Sequence, residues 1–118
     1  MPNQILQKSV DNVLKSGLSL HLMGPGKAET KLSGYKHKLL PKSDWNIIPH
    51  QKEVVVLADW AEWIFGEEKG TIQGFYVKDK DGHVVWEEKF KEGPIEILRK
   101  GDKLRIRPKI TFGEEDEE

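Results

Sequence analysis

The chain has 118 residues, 36% hydrophobic and 33% charged, enough for one real core that must be economical beneath a densely ionic surface. Its net charge of −1 argues against general nucleic-acid affinity, and its lack of cysteine excludes disulfides and thiolate metal sites. The start MPNQILQKSV has neither a basic n-region nor a long apolar h-region, and no apolar run approaches the roughly 20 residues of a membrane helix, so neither a signal peptide nor a span is expected and the chain reads as soluble.

Residues 3–16 read as a short amphipathic helix, with Leu6, Val10 and Val13 at i, i+4, i+7 and with Ile5 and Leu14 widening the stripe. Asn3 is the expected N-cap and Gly17 the residue that ends it. Such a helix either packs across a sheet opening or serves as an arm, spanning 1–17, that docks on a neighbouring subunit. Leu18 to Met23 alternates Leu18, Leu20 and Leu22 against Ser19, His21 and Met23, the pattern of a half-buried strand. Gly24-Pro25-Gly26 breaks it, 27–34 is a polar loop, and Tyr35 to Leu40 reads as a second strand. Residues from Ser43 onward read as less regular, with Pro49 and His50 marking a turn. Val54 to Leu57 is a short buried strand; 58–66 is ambiguous, since Trp60, Trp63 and Ile64 fit a helical turn while Trp63 and Phe65 fit an alternating strand, and strand or irregular extended structure is the favoured reading.

The most informative stretch is Gly70 to Phe90, GTIQGFYVKDKDGHVVWEEKF. Two β-prone runs, Ile72–Val77 and Val84–Trp86, flank Asp81-Gly82, which predicts a hairpin with a two-residue turn and φ > 0 at both central positions. Ile95 to Leu98 is a further strand, Lys100-Gly101-Asp102 a turn, and Lys103 to Phe112 an alternating strand. In that strand Leu104, Ile106, Ile110 and Phe112 point inward and Arg105, Arg107 and Lys109 outward; Pro108 implies an edge or a bulge. The acidic ending, 114–118, reads as a disordered tail. The whole predicts one mainly β domain, an antiparallel sandwich or jelly-roll-like barrel with one N-terminal helix. Abundant Lys and Glu with scarce Asn and Met is the direction hyperthermophile proteins take, and equally the mark of any Lys/Glu-rich surface.

Few residues suggest chemistry. His21, His37, His50 and His83 show no HxH or HExxH spacing, so core or solvated histidine is the favoured reading and no metal or cofactor is expected. Asp79-Lys80-Asp81-Gly82 begins like a Ca²⁺ loop but lacks the later Glu, and a hairpin turn explains it better. Glu87 and Glu88 are adjacent on a strand and point to opposite faces. With no nucleophile motif and no phosphate loop, catalysis is not expected. Arg105, Arg107 and Lys109 form a basic stripe that suits single-stranded nucleic acid, a charged edge that blocks aggregation, or pairing with Glu; the net charge disfavours the first.

Gly34-Tyr35, Leu39-Leu40, Trp45, the Trp63 region, the hairpin GTIQGFYVKDKDGHVVWEEKF and GPIEILRKGDKLRIRPKITFG occur in that order. This order resembles a group of small virion structural proteins of tailed bacteriophages, over most of residues 5–113. The chain departs from that group in carrying Lys and Glu where small residues are usual, and in segment 46–62. The resemblance implies a non-enzymatic β module on a particle surface: a capsid decoration (cement) protein, or else a tail or fibre component. It implies major capsid protein or other virion subunits as partners, self-association that is often trimeric, and solubility in the host cytoplasm before assembly. The expected anchors are the helix residues Leu6, Val10 and Val13 and the aromatics Trp45, Trp60 and Trp63, with Arg105 and Arg107 beside them.

Overall fold

The computed structural model describes residues 10–15, 17–50 and 53–113. It is mainly β, with antiparallel sheets and one short helix, and no closed barrel forms among the described residues. Helix α1 covers 10–15 and is stopped by Gly17, whose φ of +85° and 2.9 Å N–H bond to the Leu14 carbonyl make a left-handed cap. Val10 and Leu14 are buried in the common core and Val13 packs against it, so this stretch plugs the core instead of projecting as an arm. Asn3, Ile5, Leu6 and the tail 114–118 lie outside the described residues.

Strands β1 (Leu18–Met23), β2 (Lys38–Leu40), β7 (Gly74–Lys78) and β8 (Val84–Lys89) form a sheet in the order β2-β1-β7-β8. Strands β3 (Trp45–His50), β4 (Glu53–Ala58) and β11 (Lys109–Gly113) form a second, with β4 central. Two short ribbons complete the fold: β5 (Ala61–Ile64) with β10 (Lys103–Ile106), and β6 (Gly70–Ile72) with β9 (Ile95–Ile97). All pairings are antiparallel. Leu18, Leu20, Leu22, Phe75 and Val77 from the first sheet meet Val54, Val56 and Ile110 from the second. Trp63, Phe65, Leu104 and Ile106 join them, as do Ile72 and Ile97, in one apolar cluster.

Four expected elements are redrawn. Tyr35 to Leu40 is a strand only from Lys38, because the Tyr35 hydroxyl turns away to accept the Leu22 N–H at 3.1 Å. The segment with Pro49 is strand, not turn: β3 is an edge strand, where a residue without an N–H is tolerated. The run Ile72–Val77 divides at Gln73, so that Ile72 pairs with β9 and Gly74 onward with β1 and β8. The long strand 103–112 divides at Arg107-Pro108 and its halves join different sheets, although inward alternation persists through Leu104, Ile106, Pro108 and Ile110. Strand β5 follows the extended reading of 58–66, with Ala61, Trp63 and Phe65 inward.

The β7–β8 hairpin is present, but its turn is longer than Asp81-Gly82. Gly82 has φ +87°, whereas Asp81 does not reach positive φ. The Asp79 carboxylate accepts the N–H groups of Asp81 and His83, each at 2.9 Å, and Asp79 N–H closes the loop on the His83 carbonyl. Those N–H groups, His83 foremost, hold the Asp79 carboxyl below its ordinary range. The longer turn brings a register shift at Val77/Lys78.

Gly74, at the start of the hairpin, has no room for a side chain: a Cβ there would strike the Glu88 carbonyl and lie 2.8 Å from Lys89 Cα. Gly82 faces open space. Gly74→Ala is therefore expected to cost several kcal/mol, on the order of the larger single-site effects, whereas Gly82→Ala carries only about 1–2 kcal/mol of backbone strain. Chemical denaturation of both variants checks this ranking, and equal losses would contradict the packing described.

Candidate functional site

The expected anchors separate sharply by exposure. Trp45 is 6% exposed and its indole N–H donates to the Leu40 carbonyl at 3.3 Å; Trp63 is 2% exposed and donates to the Lys36 carbonyl at 2.7 Å. Both are core residues whose polar edge is satisfied by backbone, which corrects the expectation that they meet a partner. Val10 is likewise enclosed. Trp60 is 57% exposed, and the Arg105 guanidinium lies 5.0 Å from its ring centroid.

The pairing of β5 with β10 sets Arg105 opposite Glu62 and Lys103 opposite Ile64. Since Trp63 points inward, Trp60, Glu62 and Ile64 point outward with Lys103 and Arg105, and all five are exposed. Arg105 is also within 3.9 Å of Glu62, while Arg107 donates from Nε to the Ala58 carbonyl at 3.0 Å. The basic stripe is thus partly committed to protein groups, in line with the Glu-pairing reading.

A second constellation lies on the outer face of the first sheet. Period-two alternation places Ser19 and His21 together on that face, and the β1–β7 register sets His21 beside Tyr76. His21 stacks between two rings, His37 at 4.8 Å and Tyr76 at 5.0 Å, and is only 6% exposed. Its Nε2 lies 2.7 Å from Ser19 Oγ and its Nδ1 2.8 Å from Glu29 Oε2. The Tyr35 hydroxyl donates a short hydrogen bond to the same Glu29 oxygen while accepting from Leu22 N–H. Glu29 is brought there by a single bridge to Met23 at the edge of β1.

The electrostatics follow from these contacts. Burial pushes the Glu29 carboxyl up, but the Tyr35 hydroxyl and the His21 ring more than offset this and hold it below its usual range. Burial depresses His21, against the pull of Glu29, so the ring is neutral with Nδ1–H donating to the carboxylate and Nε2 accepting the Ser19 proton. Burial, then Glu29, raise Tyr35 strongly and Tyr76 more modestly. The Ser19–His21–Glu29 chain has the composition of a nucleophile, base and acid. Ser19, however, sits in mid-strand between β2 and β7, where strand N–H groups serve the ladder; acyl transfer needs donors gathered beside the nucleophile at a sharp turn.

Beside this face runs an open groove of ≈ 480 Å³ lined by Gly17, Ser19, His37, Leu39, Pro41 and Lys80 among others, with Leu39 73% exposed. Asp79, Asp81 and His83 form another cluster on the exposed hairpin turn. The gathering of Glu29 with His21 and His37 was not readable from spacing, because the irregular loop 28–37 brings them together. The shared strand face of Ser19 and His21 was readable. Comparison with protein-family models, curated proteins and solved structures gives no match.

His21 faces Ser19, Glu29, His37, Tyr76 and Lys78. Unfolded, it takes up a proton near pH 6.5; folded, only at lower pH, so below about 6.5 the unfolded state holds more protons and stability falls with acidification. Replacement by His21→Gln should flatten the melting-temperature slope between pH 7 and 5. Parallel slopes for variant and parent would refute the assignment. Glu29 adds a separate loss below the ordinary carboxylate range, since its depressed carboxyl stabilises the fold only while ionised.

Proposed function

We propose that this chain is a non-enzymatic virion structural protein, a capsid decoration protein that binds and stabilises a phage head. The observation that carries the reading is the outward Trp60–Arg105 pair on β5–β10. Exposed Trp and Arg side chains are the residues that most often dominate interface energetics, and here the ring lies beside exposed Ile64 and charges of both signs. The resemblance to tailed-phage virion proteins supplies the setting. Its motif residues fall at points of close packing such as Gly74, so they support a shared scaffold and leave recognition to surfaces like this one.

In this reading the protein binds major capsid subunits at the particle surface. Repeated copies, assembled as a homo-oligomer such as a trimer, add avidity without new contacts. Binding only the expanded lattice stabilises that lattice by mass action. A tail or fibre component would use the same face against a different partner. A single-strand-binding role for Arg105 and Arg107 is disfavoured by their engagement with Trp60, Glu62 and Ala58.

Incubation of purified protein with expanded shells lacking it should give saturable binding and a higher shell melting temperature. Trp60→Ala should weaken binding about 30-fold, equivalent to roughly 2 kcal/mol, with little change in the melting of the free chain. Absence of binding by the parent protein to both heads and tails would refute the virion assignment, and binding to tails alone would favour the second location.

A further inference from the structure

We propose that His21, Glu29 and His37 form a binding site for one divalent transition-metal ion of the zinc class. Their candidate ligand atoms all lie within 4.8 Å of one another, and two imidazoles with one carboxylate are a ligand set that suits Zn²⁺ with a further position open to water or another group. The inference is independent of the virion role, since it rests on the outer face of the first sheet and not on the Trp60 surface.

The surroundings orient two of these ligands, His21 and Glu29, as a metal site requires. Metal-bound histidines and carboxylates are characteristically oriented by outer hydrogen bonds. Glu29 receives the Tyr35 hydroxyl, and Tyr35 is itself fixed by the backbone N–H of Leu22. His21 has Ser19 on Nε2. An ion at Nδ1 requires the neutral ring to carry its proton on Nε2 instead; a hydroxyl both donates and accepts, so Ser19 suits either tautomer. The proton then moves from Nδ1 to Nε2 through solvent, with no net change in ring charge.

Two local movements are required. Bonds of about 2.0 Å in tetrahedral geometry separate ligand atoms by roughly 3.3 Å, so the 2.8 Å Nδ1–Oε2 gap opens by about half an ångström. The His21 and His37 rings are within 17° of parallel, and parallel rings do not aim their in-plane lone pairs at one point. His37 must therefore turn off the stack. It is exposed, lies on the irregular stretch before β2, and borders the open groove, which also gives the ion a way in. Lys78, engaged over the Tyr76 ring at 5.5 Å, is a nearby positive charge that opposes binding of a cation.

Asp79, Asp81 and His83 are the competing cluster, and Asp79 already spends a carboxylate oxygen on two backbone N–H groups. Calorimetric titration of the tag-free full chain with Zn²⁺ at pH 7.5 tests the proposal. One equivalent should bind with a dissociation constant in the micromolar range and be removed by chelator. His37→Ala and Glu29→Gln should each weaken binding at least tenfold, and Tyr35→Phe severalfold, while His83→Ala should leave it unchanged. His37 is exposed, so its variant should retain the circular dichroism and melting temperature of the parent. No binding by the parent, parent-like binding by a folded His37→Ala, or loss of binding on His83→Ala would each overturn the site.

Discussion

The two two-stranded ribbons are too small to stand alone, and the architecture depends on all four sheets sharing one apolar core. Two-stranded ribbons such as β5–β10 and β6–β9 are marginal in water unless an apolar face is covered. The cover is mutual: Trp63, Leu104 and Ile106 from one ribbon and Ile72 and Ile97 from the other meet the leucines of β1 and the valines of β4. Two indole N–H groups add direction to this non-directional force, since Trp45 and Trp63 both donate to carbonyls of the segment 36–40. Because strand alternation is strict, sending Trp63 inward sends Trp60 and Ile64 outward. The exposed face of β5–β10 is thus a by-product of how the core is closed.

The outer face of β1 is governed by a second constraint. Strand β2 pairs only with Leu18 to Leu20, so the remainder of β1 needs other partners. The Tyr35 hydroxyl supplies one by accepting the Leu22 N–H, and the Thr30 N–H supplies another by reaching the Leu22 carbonyl at 3.0 Å. The half-buried hydroxyl also donates, and Glu29 accepts. Its carboxylate in turn orders His21. A chain of backbone satisfaction therefore ends in a histidine with a defined tautomer, stacked beside the exposed His37.

Much of the fold was legible because it rests on local pattern. The leucine alternation of 18–23, the valine run of β4 and the extended reading around Trp63 each map onto observed strands. What failed rested on distant partners. Pro49 reads as a turn until β3 is known to be an edge, and a clean alternation through Pro108 conceals a change of sheet. Asp81-Gly82 is a strong two-residue turn signal, yet the Asp79 side chain gathers two N–H groups and makes a longer loop more favourable. Exposure was harder still: nothing in composition distinguishes Trp60 from Trp45 and Trp63, and only the alternation fixed by Trp63 separates them. Glu29 was hidden in a polar loop, and its relation to His21 and His37 exists only in three dimensions.

The outward Trp60–Arg105 face, proposed here for recognition, lies apart from close-packed positions such as Gly74 that carry the resemblance on which the virion proposal draws. If the proposed virion role holds, Trp60 is covered when the protein is bound to a particle. Hydroxyl-radical footprinting of the free chain and of decorated particles measures this directly. The account predicts strong oxidation of Trp60 in the free chain and marked protection on the particle, with Trp45 and Trp63 little modified in either. Equal oxidation of Trp60 in both states, with protection confined to another surface such as Leu39 or the β7–β8 turn, would contradict it.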